Sequence, residues 1–227
     1  TQLGALTTAE ASKLSTTQLS ALTAGQVGAL SATVVAALGT DQVKALSVDQ
    51  FKSLTTASVA ALTTAQAANL GTEQVAALTA TQIKAIETAD LSKLSTAQVA
   101  AINNLAVAAL TTAQVSALTS AQVGALSTGQ TAVLTATQVQ GAGTSFIASL
   151  TTDAIASLTN AQARAMTTDQ VVALTTAQAG ALSTAAVVAM SAAQITAIAT
   201  DDFAKLSTAA IRAIGNSAVA ALTTAQV

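Results

Sequence analysis

The sequence predicts an all-α fold: a solenoid of very short capped helices, one per eight-residue repeat, extended into an elongated rod. One octapeptide of the form Thr-Thr-Ala-Gln-Val-Ala-Ala-Leu runs along the 227 residues without insertion or deletion. Most octads open with a helix-start signal. The apolar residues are mainly Ala, Val and Leu, with 3 Phe and no Tyr or Trp, so the core must be thin. Such a repeat favours stacked narrow coils over a thick globular core.

The eighth position of the octad is the core anchor. The 27 positions spaced by eight from Leu14 to Leu222 are all Leu, Ile or Met except Ala142. The fifth position is usually Val or Ile and stands three residues before the anchor. This spacing places Val115 and Leu118 on one face of a helix, whereas a strand would put them on opposite faces. The two positions therefore predict a helical core face.

The first and fourth positions predict where each helix begins. The first is Ser or Thr in 21 of 28 octads, and these residues are favoured N-caps. Gln commonly follows three residues later, as in Thr111 with Gln114, which is the spacing of a capping box. The anchor before the cap and the apolar residue after Gln, such as Leu110 and Val115, form a hydrophobic staple. A helix should therefore start in every octad.

Charge placement agrees with one helix per octad. Acids such as Asp41 and Asp49 come early in their octads, while Lys44 and Lys52 come late, which matches the dipole of a short helix. The sixth position, for example Ser116, should face solvent.

A single long helix does not suit this repeat. At about 100° per residue, the anchor stripe would drift by about 80° per octad. Helices of about six residues are marginal alone, because isolated helices shorter than about 12 residues rarely form in water. We therefore expect one continuous solenoid over residues 1–227. Because the sequence begins at Thr1 and ends within an octad, we interpret it as a segment of a longer or processed chain. No second period is visible, so the number of octads per turn and the handedness stay open.

One stretch is irregular. Thr131 replaces the usual Val, Ala142 replaces Leu, and Phe146 stands where Gln is expected. We expect Phe146 to turn inward into the volume that Ala142 leaves, with a binding notch as the alternative. The run Gly141-Ala142-Gly143 resembles a phosphate-binding loop only superficially, because the Lys of such a loop is absent.

Composition disfavours most kinds of chemistry. The chain has no His and no Cys, so a Ser/His/Asp triad, a Cys nucleophile and the usual zinc sites are excluded. The ten acids are scattered, and Asp201 with Asp202 is the one adjacent pair. We expect no enzyme activity, catalytic residue, metal, cofactor or small-molecule substrate. Charged residues make up 8% with a net charge of -2, so nucleic acid finds no basic patch. No apolar run approaches the roughly 18 residues of a membrane span.

The runs LTTAQVSAL at 110–118, LTSAQVGAL at 118–126 and LTTAQAGAL at 174–182 resemble the Ala/Thr-rich octapeptide arrays of very large bacterial surface and secreted proteins. The resemblance covers the whole chain and implies an extracellular or cell-surface, adhesin-like or filament-forming role without catalytic residues. The expected function is a non-catalytic stalk, sheath or filament segment. Its weakly charged surface favours self-association, either lateral or end to end. One alternative is a passive spacer of a giant adhesin, and another is an ice-binding array of Thr hydroxyls.

Overall fold

The computed structural model describes residues 6–226, which form 27 α-helices of four to six residues and no β-strand. The predicted all-α class is therefore confirmed. The chain divides into two compact units, Thr1–Ala117 and Leu118–Val227. Continuity of one solenoid over residues 1–227 stays a prediction.

The helices follow the octads one for one. The first unit holds α1 (Thr8–Ala11), α2 (Thr16–Ser20), α3 (Ala24–Gly28), α4 (Ala32–Ala37), α5 (Thr40–Lys44), α6 (Val48–Lys52), α7 (Thr56–Ala60), α8 (Thr64–Ala68), α9 (Thr72–Ala76), α10 (Ala80–Ala85), α11 (Thr88–Leu91), α12 (Thr96–Ala101), α13 (Asn104–Ala109) and α14 (Thr112–Ser116). The second unit holds α15 (Ser120–Gly124), α16 (Thr128–Ala132), α17 (Ala136–Gly141), α18 (Thr144–Ser149), α19 (Thr152–Ala156), α20 (Asn160–Ala165), α21 (Thr168–Val172), α22 (Thr176–Ala181), α23 (Thr184–Ala189), α24 (Ala192–Ala197), α25 (Thr200–Phe203), α26 (Thr208–Ala213) and α27 (Asn216–Val219).

The predicted capping boxes start these helices. At α8, the backbone N–H of Gln66 donates to the Thr63 hydroxyl at 3.3 Å, and the Thr63 N–H donates to Oε1 of Gln66 at 2.7 Å. Thr63 is extended, with φ -74° and ψ 157°, so the chain turns a corner before each helix. At α1, Glu10 takes the place of Gln. The N–H and the hydroxyl of Thr7 both donate to its carboxylate, which holds the pKa of Glu10 below its usual value.

Each helix packs on the helix three places further along the chain. In the first unit α1 packs on α4, α2 on α5, and so on to α11 on α14; in the second, α15 packs on α18, and so on to α24 on α27. One turn of the solenoid therefore takes three octads, or 24 residues, and each unit consists of three stacks of short helices. Stacking supplies the support that a helix of under two turns lacks alone.

The core is built from the fifth and eighth positions, as predicted. Val75 and Leu78 are 0% and 1% exposed. The anchors from 14 to 222 are all buried except four that are half-buried: Leu14, Leu22, Leu118 and Leu222. Burying one such aliphatic side chain contributes about 1.5–3 kcal/mol. Repetition of two small apolar side chains per octad thus yields a continuous narrow core within each unit.

The sixth position faces solvent at Ser116 as expected, but elsewhere it also meets the next coil. The Ser20 hydroxyl donates to the Ala45 carbonyl 25 residues later, at 3.1 Å. A Cβ added at Gly28 would lie 2.8 Å from the Ser53 carbonyl oxygen, again 25 residues later. Close stacking of the helices therefore favours small residues here, a constraint that the octad alone does not reveal.

Candidate functional site

The conserved chemistry of the octad converges on the buried Gln of the fourth position. Gln66 is 2% exposed. Its Oε1 accepts the cap N–H of its own helix, while its Nε2 donates to the carbonyls of Val35 at 2.9 Å and Leu38 at 2.7 Å. These carbonyls end α4, one turn plus one octad earlier. One amide therefore caps the start of one helix and the end of another in the coil below.

This arrangement recurs through both units and is called here the glutamine ladder. Each member donates to the anchor carbonyl 28 residues upstream and to a second carbonyl 30 or 31 residues upstream. A helix end leaves carbonyls without a partner inside the helix, and the ladder supplies their donors. The members described so are Gln42, Gln50, Gln66, Gln74, Gln82, Gln98, Gln114, Gln162, Gln178, Gln194 and Gln226.

Other polar side chains replace the ladder where Gln is missing. In α13 the fourth position is Ala106, and the cap Asn103 instead donates from Nδ2 to the carbonyls of Ala76 at 2.9 Å and Leu78 at 2.8 Å. The other amide atom of Asn103, Oδ1, accepts the N–H of Ala106 at 2.9 Å. At α7, the Ser58 hydroxyl donates to the Leu30 carbonyl at 3.3 Å. The need for a donor at the corner thus persists although the residue changes.

The capping reach of Gln was predicted, but its inter-coil reach was not. A weak sequence signal exists for the 24-residue turn. In every third octad, counting from Glu10, six of the ten fourth-position residues are not Gln, against five of the 18 in the remaining octads. The substitutions therefore gather in one of the three helix stacks.

The irregular stretch repacks as predicted. Phe146 and Ala142 are each 4% exposed, so the aromatic ring lies inside the solenoid. Thr131 is 0% exposed, and its hydroxyl donates to the Ser127 carbonyl at 3.1 Å. Burial of a polar side chain is tolerated there because the hydroxyl has a partner.

Backbone geometry shows how the corner adapts. Ala142 stays helical, with φ -73° and ψ -15°, whereas the anchor Leu150 is extended, with φ -64° and ψ 144°. The turn passes to Gly143, at φ +84°, a conformation that costs residues with a Cβ about 1–2 kcal/mol. The Nε2 of Gln170 accordingly donates to the Gly143 carbonyl at 3.4 Å rather than to Ala142. The glycines here serve the corner.

The candidate acids are structural elements of a helix start. Asp202 occupies the fourth position of α25 and is 7% exposed, while its neighbour Asp201 faces solvent. Across residues 6–226, no group of three or more His, Cys, Asp or Glu side chains is arranged to hold a metal ion. Within the same part of the chain, no helix is both long and apolar enough to cross a bilayer.

A shallow cleft of about 360 Å³ lies in the first unit, away from the irregular stretch. Leu105 at its edge is 79% exposed, and the amide of Asn103 in its wall is already bonded to two carbonyls. Its remaining wall is mostly small and apolar. The cleft is lined by Lys52, Ala76, Ala77, Leu78, Thr79, Ala80, Asn103 and Leu105.

Comparison with known families agrees with the octad frame. A family model described as ALTTAQ repeat matches residues 25–56, 51–80, 83–120, 107–144 and 195–227, which together cover about two thirds of the chain. No curated protein matches the sequence. The predicted resemblance to Ala/Thr-rich tandem repeats is thereby confirmed, and the chain belongs to the ALTTAQ repeat family.

Proposed function

We propose that this chain is a non-catalytic structural element of an extracellular or cell-surface protein, serving as a stalk, sheath or filament segment. The observation that carries the proposal is the glutamine ladder. The most regularly repeated polar side chains form hydrogen bonds within and between coils, as Gln74 does with Gly71, Val43 and Leu46. Their polar atoms are therefore engaged in cohesion rather than presented to a substrate.

The repeat also suits a structural role energetically. Each coil rests on its neighbours through the same two apolar positions and the same amide, so stability grows by nearest-neighbour contacts as octads are added. Length can then change by whole coils without redesign of a core. A stalk or sheath needs this property, whereas an enzyme gains little from it.

The extracellular placement is supported by the resemblance to bacterial surface arrays and by the absence of Cys, which suits an oxidising setting. Antibodies raised against the chain should label intact cells that make its parent protein. A cytosolic protein of the same cells, detected only after permeabilisation, is the control. Labelling that likewise requires permeabilisation would overturn the placement.

The structural role has a separate test. In the parent protein, Gln66→Ala, Gln74→Ala and Gln82→Ala together should shorten or collapse the surface structure seen by electron microscopy, because three consecutive rungs of one coil are lost. Gln140→Ala, at an exposed site, is the matched control. An unchanged surface structure despite broken rungs would refute the role.

A further inference from the structure

The two end coils of the described chain carry complementary groups. In the first coil, the Oε1 atoms of Gln18 and Gln26 accept the cap N–H groups of Ser15 and Thr23, each at 2.8 Å. Both Gln side chains are exposed, and within residues 6–226 no acceptor is recorded for their Nε2 atoms. Two ladder donors therefore face outward at this end.

Apolar exposure at the first coil follows the same logic. Leu14 and Leu22 are only half-buried, whereas the anchors of interior coils such as Leu46 are buried. The fifth-position residues of this coil, Leu19 and Val27, are 1% and 0% exposed. The first coil thus presents anchors and amide donors, while its fifth positions are covered by the coil above.

The last coil presents the opposite set. Ile211 and Val219, both at the fifth position, are 38% and 50% exposed, although fifth positions inside the units are almost fully buried. The Ile211 carbonyl accepts only from the Ile214 N–H, at 3.3 Å. For the Ile214 carbonyl, no donor is recorded in the described part of the chain. These are the carbonyls that a ladder Gln occupies elsewhere.

From this complementarity we propose that a second copy of the chain stacks its first coil on the last coil of the first copy. Gln18 continues the ladder onto the carbonyls of Ile211 and Ile214, and Gln26 onto those of Val219 and Leu222. The spacing fits, because the two Gln and the two corners are each eight residues apart. Leu14 and Leu22 then cover Ile211 and Val219, as anchors cover fifth positions between neighbouring coils.

Such a contact is head to tail. Each copy uses a different surface from its partner, so binding leaves both outer ends free to bind again, and association proceeds to open chains rather than to a closed dimer. The low charge of the protein, 8% of residues with a net charge of -2, imposes little repulsion on this approach. The inference specifies the self-association in the proposed structural role and rests on that proposal.

Sedimentation velocity over a range of concentrations tests the contact with two variants of the full chain. The first carries Gln18→Glu and Gln26→Glu, which keep the capping acceptor but remove the donor. The second carries Ile211→Glu and Val219→Glu on the opposite end. We expect the unmodified chain to form open oligomers, and each variant alone to associate at least about tenfold more weakly.

The decisive sample is an equimolar mixture of the two variants. The first variant keeps an intact last coil and the second an intact first coil, so the mixture should form a 1:1 dimer and stop there. Gln140→Glu, an exposed charge change away from both ends, should assemble like the unmodified chain. Circular dichroism checks that every variant is folded, and a misfolded second variant is replaced by Ile211→Ser and Val219→Ser.

Undiminished association of both variants, as lateral packing predicts, would overturn the inference, and so would a monomeric unmodified chain at high concentration. These outcomes are separate from those of the proposed function. A surface-labelled but monomeric chain leaves the structural proposal standing without the contact, whereas assembly in a chain confined to the cell interior leaves the contact standing without the placement.

Discussion

Replacing the ladder amide of Gln66 with a carboxylate isolates the inter-coil hydrogen bonds. Gln66→Glu keeps an oxygen that accepts the Thr63 N–H but loses the Nε2 donor. The buried carboxylate, at a site 2% exposed, then faces the carbonyls of Val35 and Leu38 that Nε2 contacts at 2.9 and 2.7 Å. A hydrogen bond contributes about 1 kcal/mol net, and an unpaired buried charge costs about 3–5 kcal/mol. We expect Gln66→Ala to lose about 2–3 kcal/mol and Gln66→Glu about 3–5 kcal/mol at pH 7.

Acid should relieve the carboxylate variant. Burial against two carbonyls raises the pKa of the introduced carboxyl in the folded state above the roughly 4.3 of an unfolded Glu. The folded variant therefore binds more protons than its unfolded state. Its stability is greatest below the unfolded pKa and falls as pH rises through the folded pKa. Below that range the protonated carboxyl also donates one hydrogen bond to the corner.

Urea denaturation followed by far-UV circular dichroism measures both effects, since the chain has no Trp or Tyr for fluorescence. The control is Gln140→Glu, which adds the same charge at an exposed position. Its unfolding midpoint should stay near that of the unmodified chain at pH 7 and pH 4. If Gln66→Glu matches this control at both pH values, the ladder does not stabilise the stack.

Three further predictions use contacts at other positions. Gly28→Ala should destabilise by about 1–3 kcal/mol, because its Cβ would lie 2.8 Å from a carbonyl of the next coil, whereas Gly25→Ala, with nothing within 4 Å, should gain up to about 1 kcal/mol; equal thermal shifts would contradict the stacking. Asn103→Ala should cost about 1–3 kcal/mol by losing a cap and two corner bonds, and adding Ala106→Gln should restore most of it; no rescue in urea unfolding would mean that Asn103 does not replace the ladder. Phe146→Ala should lower stability by about 3–5 kcal/mol in the same assay by leaving a cavity, and a near-neutral change would show that the ring does not fill the corner.

Local signals in the sequence determined where each helix starts and which side chains enter the core. Ser or Thr followed by Gln specifies a capping box through contacts only three residues apart, and the pairing of Val75 with Leu78 specifies a helical face. These features depend on short-range geometry, so one octad contains all the information they need. The inward position of Phe146 also followed, because a missing anchor volume must be filled from nearby.

Tertiary structure alone decided that three octads close one turn and that the Gln amide reaches carbonyls 28 and 31 residues upstream. The octad is nearly identical in all three helix stacks, so the sequence contains little that distinguishes a 24-residue turn from another multiple of eight. That number follows from how far each corner rotates the chain, and the corner angle depends on packing between coils. The Thr and Gln of the repeat were understood as local caps, and the fold made the same Gln the hydrogen-bonded link between one coil and the next.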